Sequence, residues 1–151
     1  MEKTIDLYVK KEGAARENCF STIGEAIEAM ERIAPVPEEI AAELEKGRIY
    51  PSPVYEVTPF VVHIGAGEYR EKLVLSRPNV TFLGEGRDKT VLVFGDGANE
   101  IEEDGEKRGT FRTATLRIDT PDFTARHLTF QNDGGYGHTV GQALALYVDG
   151  D

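Results

Sequence analysis

The chain contains a single cysteine, Cys19, in 151 residues. One thiol excludes an internal disulfide and any zinc site built from several cysteines. Basic residues are scarce: 17 Lys and Arg stand against 27 Asp and Glu, a net charge of −10. A nucleic-acid partner requires a basic footprint, and an anionic membrane surface attracts one, so this charge argues against both. No apolar run approaches the roughly 20 residues of a membrane-spanning helix. The segment Met1 to Lys11 is charged and lacks the apolar core of a secretion signal. The chain is therefore either cytoplasmic or an exported protein read without its signal. Serine-nucleophile context is also missing, because Ser21, Ser52 and Ser76 lie outside any G-x-S-x-G phrase.

What is present favours strands. Hydrophobic residues make up 40% of the chain, enough for a packed core. Of 31 Val, Ile and Leu, 21 are β-branched, and 13 Phe and Tyr add to the same tendency. The length suits one domain or a piece of a larger one. Ile5, Leu7 and Val9 alternate with Asp6 and Tyr8 and predict a short opening strand. A helix from Thr22 to Ala34 follows. Thr22 and Glu25 form a T-x-x-E capping box, and Ile23, Ala26, Ile27, Met30 and Ala34 give one apolar stripe. Pro35 ends it. A short peripheral helix begins at Pro37, with Glu38 and Glu39 at its positive start and Lys46 and Gly47 at its end.

From about Tyr50 the pattern changes to short apolar runs divided by turns. The runs are Phe60 to Ile64, Leu73 to Leu75, Val80 to Leu83, Val91 to Phe94, Phe111 to Ile118, Phe123 to Phe130 and Ala143 to Val148. No connection carries a long helix, so a doubly wound parallel sheet is disfavoured. Two architectures fit: an antiparallel sandwich of hairpins, or a right-handed parallel β-helix of stacked coils. Three phrases of one form favour the second: Val80 to Gly84, Leu128 to Asn132 and Leu146 to Gly150. The helix before the first coil would cover the open apolar end that stacking leaves.

Most isolated candidates have plain structural readings. His63, His127 and His138 show no metal-ligand spacing, and the first two read as outward-facing strand residues. The pairs Gly65/Gly67, Gly84/Gly86 and Gly95/Gly97 lack a phosphate-loop context and read as turns. The acidic run from Asp96 to Glu106 lacks calcium-loop spacing and reads as a solvated loop. Cys19 has no neighbouring histidine and reads as an indifferent thiol. The stretch from Gly109 to Asp151 is more distinctive. It sets Thr110, Thr113 and Thr115 at near-alternating positions of an expected strand. It then has Gln142 open an apolar strand after a glycine-rich turn. A glutamine there is an ordinary ladder residue, or it faces a cleft and donates hydrogen bonds to a developing oxyanion.

Taken in order, these phrases resemble the N-terminal part of the pectinesterase (pectin methylesterase) family. Phe20 to Ile27 is similar to F-x-T-I-x-x-A-I, and Val62 to Glu71 resembles I-x-x-G-x-Y-x-E. Phe82 to Gly86 with Thr90 resembles L-x-G-x-G-x-x-x-T. The most specific parts are G-T-F-R-T-A-T from Gly109, F-x-A-R-x-L-T-F-Q-N from Phe123 and Q-A-L-A-L-Y-V-D-G-D from Gln142. The stretch between Ile33 and Tyr55 exceeds the usual family linker, and residues 35–49 resemble a helical insertion.

The resemblance implies an all-β fold: a partial right-handed parallel β-helix over residues 1–151 with an N-terminal capping α-helix. It implies removal of methyl groups from pectin, methylated polygalacturonate, without metal or cofactor. Family catalysis uses two aspartates, an arginine and two glutamines at the oxyanion. Gln142 matches the first glutamine, and Thr110 matches the substrate-contacting threonine of G-T-[FY]. The G-Y-Q-D-T-L-Y and D-F-I-F-G phrases that carry the aspartates do not occur in these 151 residues. Asp149 and Asp151 lie in a strand-end turn and do not replace them. The chain is expected to be inactive alone and to need the C-terminal half of the β-helix. Most of the family is extracellular. The competing readings are a non-catalytic carbohydrate-binding or structural β-helix, and a lyase, for which no calcium-carboxylate and base constellation is found. De-esterified pectin is a polyanion that a chain of this charge repels, so whole-molecule charge favours methylated stretches.

Overall fold

A computed structural model describes residues 3–12, 17–46, 54–98, 101–135 and 141–149. His138, Glu100, the turn residues Gly13 and Gly47, the end of the 35–49 stretch and Asp151 lie outside them. The chain opens with β1 (Ile5–Val9), β2 (Cys19–Phe20), α1 (Ile23–Ile33) and α2 (Glu38–Glu45). Nine further strands follow: β3 (Phe60–Ile64), β4 (Gly67–Arg70), β5 (Leu73–Leu75), β6 (Val80–Leu83), β7 (Thr90–Phe94), β8 (Leu116–Ile118), β9 (Phe123–Arg126), β10 (Thr129–Asn132) and β11 (Leu146–Val148).

These strands fall into three parallel sheets. The first has the order β2-β1-β3-β6-β9, the second β10-β7-β4 and the third β11-β8-β5. Each run of three strands from β3 visits the three sheets in turn, so the chain winds as three stacked coils of a parallel β-helix. Every named strand pair is parallel, which excludes the sandwich of hairpins.

Strand alternation builds the core directly. Residues two apart point to the same side, and the register aligns them into columns. Leu7, Val62 and Phe82 stack in the first sheet, Tyr69 and Leu92 in the second, Leu73 and Leu116 in the third. All are buried. Phe123 meets the edge of Phe82 at a ring separation of 5.2 Å.

Corners between the third and first sheets repeat one device. Asn79 and Asp122 stand immediately before β6 and β9 with φ of 63° and 60°. Asn and Asp tolerate this left-handed geometry better than other side chains. The segments Pro78-Asn79-Val80 and Pro121-Asp122-Phe123 therefore occupy equivalent places in successive coils.

Helix α1 packs against β1, β2 and β3 and buries Ile23, Ala26, Ala29 and Met30. Thr22 caps it as expected, accepting from the Glu25 amide at 3.1 Å. Glu25 does not complete the box. It accepts from the Ser21 and Thr22 hydroxyls instead. The amides of Ile23 and Gly24 donate to the Glu71 carboxylate, both at 2.9 Å. At the other end Arg77, 2% exposed, donates to the carbonyls of Met30 and Ala34 at 3.1 and 2.9 Å. Anion at the N-terminus and cation at the C-terminus both suit the helix dipole. Helix α2 buries no side chain, in keeping with a peripheral place. Among the described residues no helix is long and apolar enough to cross a membrane.

Several sequence expectations are corrected. The run Phe123 to Phe130 is two strands, because His127 adopts φ 59° and turns the chain from the first sheet to the second. His127 is thus an exposed corner residue. His63 does face outward from β3, stacked on Tyr8 and 2.8 Å from Asp6. The run Phe111 to Ile118 holds a 3-10 turn at Thr110–Arg112 and a strand only from Leu116. The run from Ala143 becomes a strand only at Leu146. The three look-alike phrases do not stack on one another, since β6, β10 and β11 lie in different sheets. Their likeness reflects the alternation any half-buried strand shows. Strands β2 and β4 were not legible in the hydrophobic pattern.

Candidate functional site

The path from the second sheet to the third differs among the coils. The first coil needs only Glu71 and Lys72, whereas the second makes a long excursion between β7 and β8 and the third another between β10 and β11. Both excursions leave at the same corner, and both candidate residues belong to them. Thr110 opens the 3-10 turn in the first, and Gln142 precedes β11 in the second. Their side chains meet: the Thr110 hydroxyl donates to the Gln142 Oε1 at 2.9 Å. Gln142 is exposed.

The surrounding backbone is tied across the coils. The Ala98 amide donates to the Gln142 carbonyl at 2.8 Å, and the Gly109 amide to the Ala98 carbonyl at 3.0 Å. The buried Thr113 hydroxyl donates to the Thr110 carbonyl at 2.6 Å and accepts from the Leu144 amide at 2.8 Å. Asn132 donates to the carbonyls of Asp96, Thr113 and Leu144 at 2.8 to 3.0 Å and accepts from the Gly134 amide. One side chain thus bonds backbone groups from both excursions.

Charge reinforces this frame. Asp96 is 6% exposed and pairs with Lys72 of the first coil and with Arg108, whose Nη1 lies 2.5 Å away. Arg108 also donates to Glu102, at 2.8 Å. Asp96 is therefore an anchor and not part of a solvated loop, because two cations from different coils converge on it. Nearby, Arg70 pairs with Asp133. Its hydrogen bond holds the Asp133 carboxyl below the usual range, and the carboxylate raises the arginine in turn.

The chemistry of the pair follows from its hydrogen bond. With Oε1 accepting from Thr110, the Gln142 NH2 is left to donate to a further partner as a neutral donor. Such a donor suits an oxygen that gains negative charge. Among the described residues no group of three His, Cys, Asp or Glu stands where it could hold a metal ion. Thr110 and Gln142, the two candidates from the sequence, are brought together. Asn132, Asp96, Lys72 and Arg108 were not among the candidates. Asn132 stood in view in the F-Q-N phrase, but neither composition nor period marks Asp96 as buried.

Stacked parallel coils with a polar, loop-built corner define a β-helical protein whose candidate site lies outside the sheets. The chain belongs to the pectinesterase family, whose model matches residues 46–151. It is 40% identical over 103 residues to "Pectinesterase A" of Dickeya chrysanthemi, covering 60% of this chain and 28% of that protein. To "Probable pectinesterase 56" of Arabidopsis thaliana it is 35% identical over 148 residues, 97% of this chain and 40% of the relative. Among solved structures it is similar to pectin methylesterase PemA from Erwinia chrysanthemi, with TM-score 0.73 and 29% identity over 99% of this chain and 41% of that one. A pectin methylesterase in complex with a hexasaccharide gives TM-score 0.72 at 29% identity, again over 99% and 41%. The chain thus spans well under half the length of these relatives.

Proposed function

We propose that the whole protein is a pectin methylesterase, hydrolysing methyl esters of polygalacturonate to pectate and methanol without a cofactor. The observation that carries this is the hydrogen bond between Thr110 and Gln142, which joins the two family-matched residues from successive coils at one exposed corner. The hexasaccharide-bound relative supports an oligosaccharide substrate. In the proposed reaction a nucleophile attacks the ester carbonyl and its oxygen becomes negative. The Gln142 NH2 stabilises that oxygen without adding a charge that must be desolvated in the ground state. Thr110 fixes the amide so that its donor edge faces outward, and contacts sugar. The nucleophile and the acid/base lie outside these 151 residues, on further coils stacked on β9, β10 and β11, so the chain alone is inactive. The coil is right-handed, as nearly all parallel crossovers are, and residues 35–49, with α2, are an insertion in a single domain. Methanol release from methylated pectin by the whole protein tests this. Gln142→Ala should abolish most of it, and unchanged release by a folded variant overturns the assignment.

A further inference from the structure

We propose that the outer face of the first sheet is a second binding surface, which holds a de-esterified galacturonan chain along the coil axis; the choice of ligand rests on the pectin-methylesterase reading above. The register sets Tyr8, His63, Leu83 and Arg126 in one row across β1, β3, β6 and β9. Their chain neighbours Leu7, Val62 and Phe82 are buried in the core, so the row faces outward. The corner of Thr110 and Gln142 lies between the second and third sheets, so the first sheet does not border it.

Part of this row lines a groove. A cavity of about 260 Å³ is bordered by Tyr8, His63 and Leu83 and, at the strand ends, by Lys10 and Glu85. The Tyr8 and His63 rings stack with centroids 4.7 Å apart, and His63 Nε2 lies 2.8 Å from Asp6 Oδ1. Those two contacts hold the imidazole in one orientation. Two amphipathic rings and a leucine make an apolar surface with polar edges, which suits a sugar ring that has C–H faces and hydroxyl rims.

Charge selects the ligand. Lys10 and Arg126 are exposed. Among the described residues neither has a carboxylate within ion-pair distance, whereas Arg70, Lys72, Arg77, Arg108 and Arg117 each have one. The acids beside the row are engaged: Asp6 by His63, and Glu85 by the Ala66 amide. Lys10 follows β1 and Arg126 ends β9, so three strand spacings, roughly 14 Å, separate them. A galacturonan carries a carboxylate on every sugar that is not esterified. A stretch of a few such sugars can therefore meet both cations, with its rings over Tyr8, His63 and Leu83.

The net charge of −10 repels a polyanion, but charges farther off than about 8 Å are largely screened at physiological ionic strength, so the local cations decide the contact. The acidic product then anchors the protein on one side while the Thr110 and Gln142 corner meets esters on another.

The test uses the whole protein and two readouts: the Kd for immobilised polygalacturonate, and methanol release from fully methyl-esterified hexagalacturonate, which has no charge for the groove. Lys10→Gln and Arg126→Gln should each weaken polygalacturonate binding about fivefold, the scale of one exposed charge contact. Leu83→Glu, which sets an acid within the groove, should weaken it further. All three should keep the wild-type kcat, KM and thermal midpoint with the esterified hexamer. Lys46→Gln, at the end of α2, changes the net charge equally and should leave binding unchanged. Equal weakening by Lys46→Gln, or no weakening by the groove variants, overturns the surface while the esterase reading stands. A fall in turnover or midpoint that matches the loss of binding also overturns it. No methanol release by the wild type overturns the esterase reading, and with it the choice of galacturonan.

Discussion

Tyr69 shows how a single residue records its surroundings. It is 1% exposed, and its hydroxyl donates to the Gly65 carbonyl at 2.9 Å. Burial, helped by the carboxylates of Glu12, Glu85 and Glu71, pushes its phenol up to about 12. A group whose folded pKa is raised binds its proton more tightly when folded. Its contribution is complete below the unfolded value of about 10 and is lost as pH rises towards 12. Denaturation of wild type and Tyr69→Phe across pH 9 to 12 should show the wild type alone losing this part of its stability. Parallel curves would contradict the assignment. The same scale shows the limits of sequence reading. Thr110 and Gln142 could be singled out as candidates because each sits in a phrase that resembles a family motif, and the structure places the two in contact. Asp96 could not, because its role depends on Lys72 arriving from the first coil and Arg108 from farther along its own excursion.

At the scale of elements, α1 is held by the coil that it covers. Glu71 and Arg77 flank β5 and reach the two ends of the helix. Glu71→Ala would leave the Ile23 and Gly24 amides without their acceptor. Capping and charge-assisted bonds of this kind contribute about 2 kcal/mol together. Glu25→Ala removes only exposed contacts and should cost about 0.5 kcal/mol or less. Chemical denaturation of the two variants distinguishes them, and equal losses would contradict the clasp. The helix itself was legible because its stripe is local. The clasp was not, since Glu71 lies far along the chain. Strand positions were legible wherever inside and outside alternate, as from Phe60 to Ile64. They failed at Phe123 to Phe130, where a left-handed His127 divides one strand-like run into two strands. Gly84 marks that junction: a Cβ there would stand 2.3 Å from the His127 carbonyl oxygen. Only glycine lets the second and third coils approach so closely.

At the scale of the molecule, burial changes along the stack. In the third sheet the inward column Leu75–Ile118–Val148 goes from fully buried to 49% exposed at the last coil, and Leu146 is 38% exposed above the fully buried Leu116. Strands β9, β10 and β11 also present edges with no further strand beside them among the described residues. Open parallel edges over an apolar cross-section favour self-association. The 151-residue chain should therefore associate with concentration and bind a hydrophobic dye. A monomer that unfolds cooperatively without dye binding would contradict this.

The central claim is that the corner of Thr110 and Gln142 belongs to an ester-hydrolysing site. Methanol release from methylated pectin by the whole protein, wild type against Gln142→Ala, tests it most directly, with thermal midpoints taken on the same preparations. Loss of one oxyanion donor typically lowers turnover about 100- to 1000-fold. The account predicts a fall of that order with an unchanged midpoint. A lowered midpoint with near-normal turnover in the folded fraction would make Gln142 a ladder residue and contradict it.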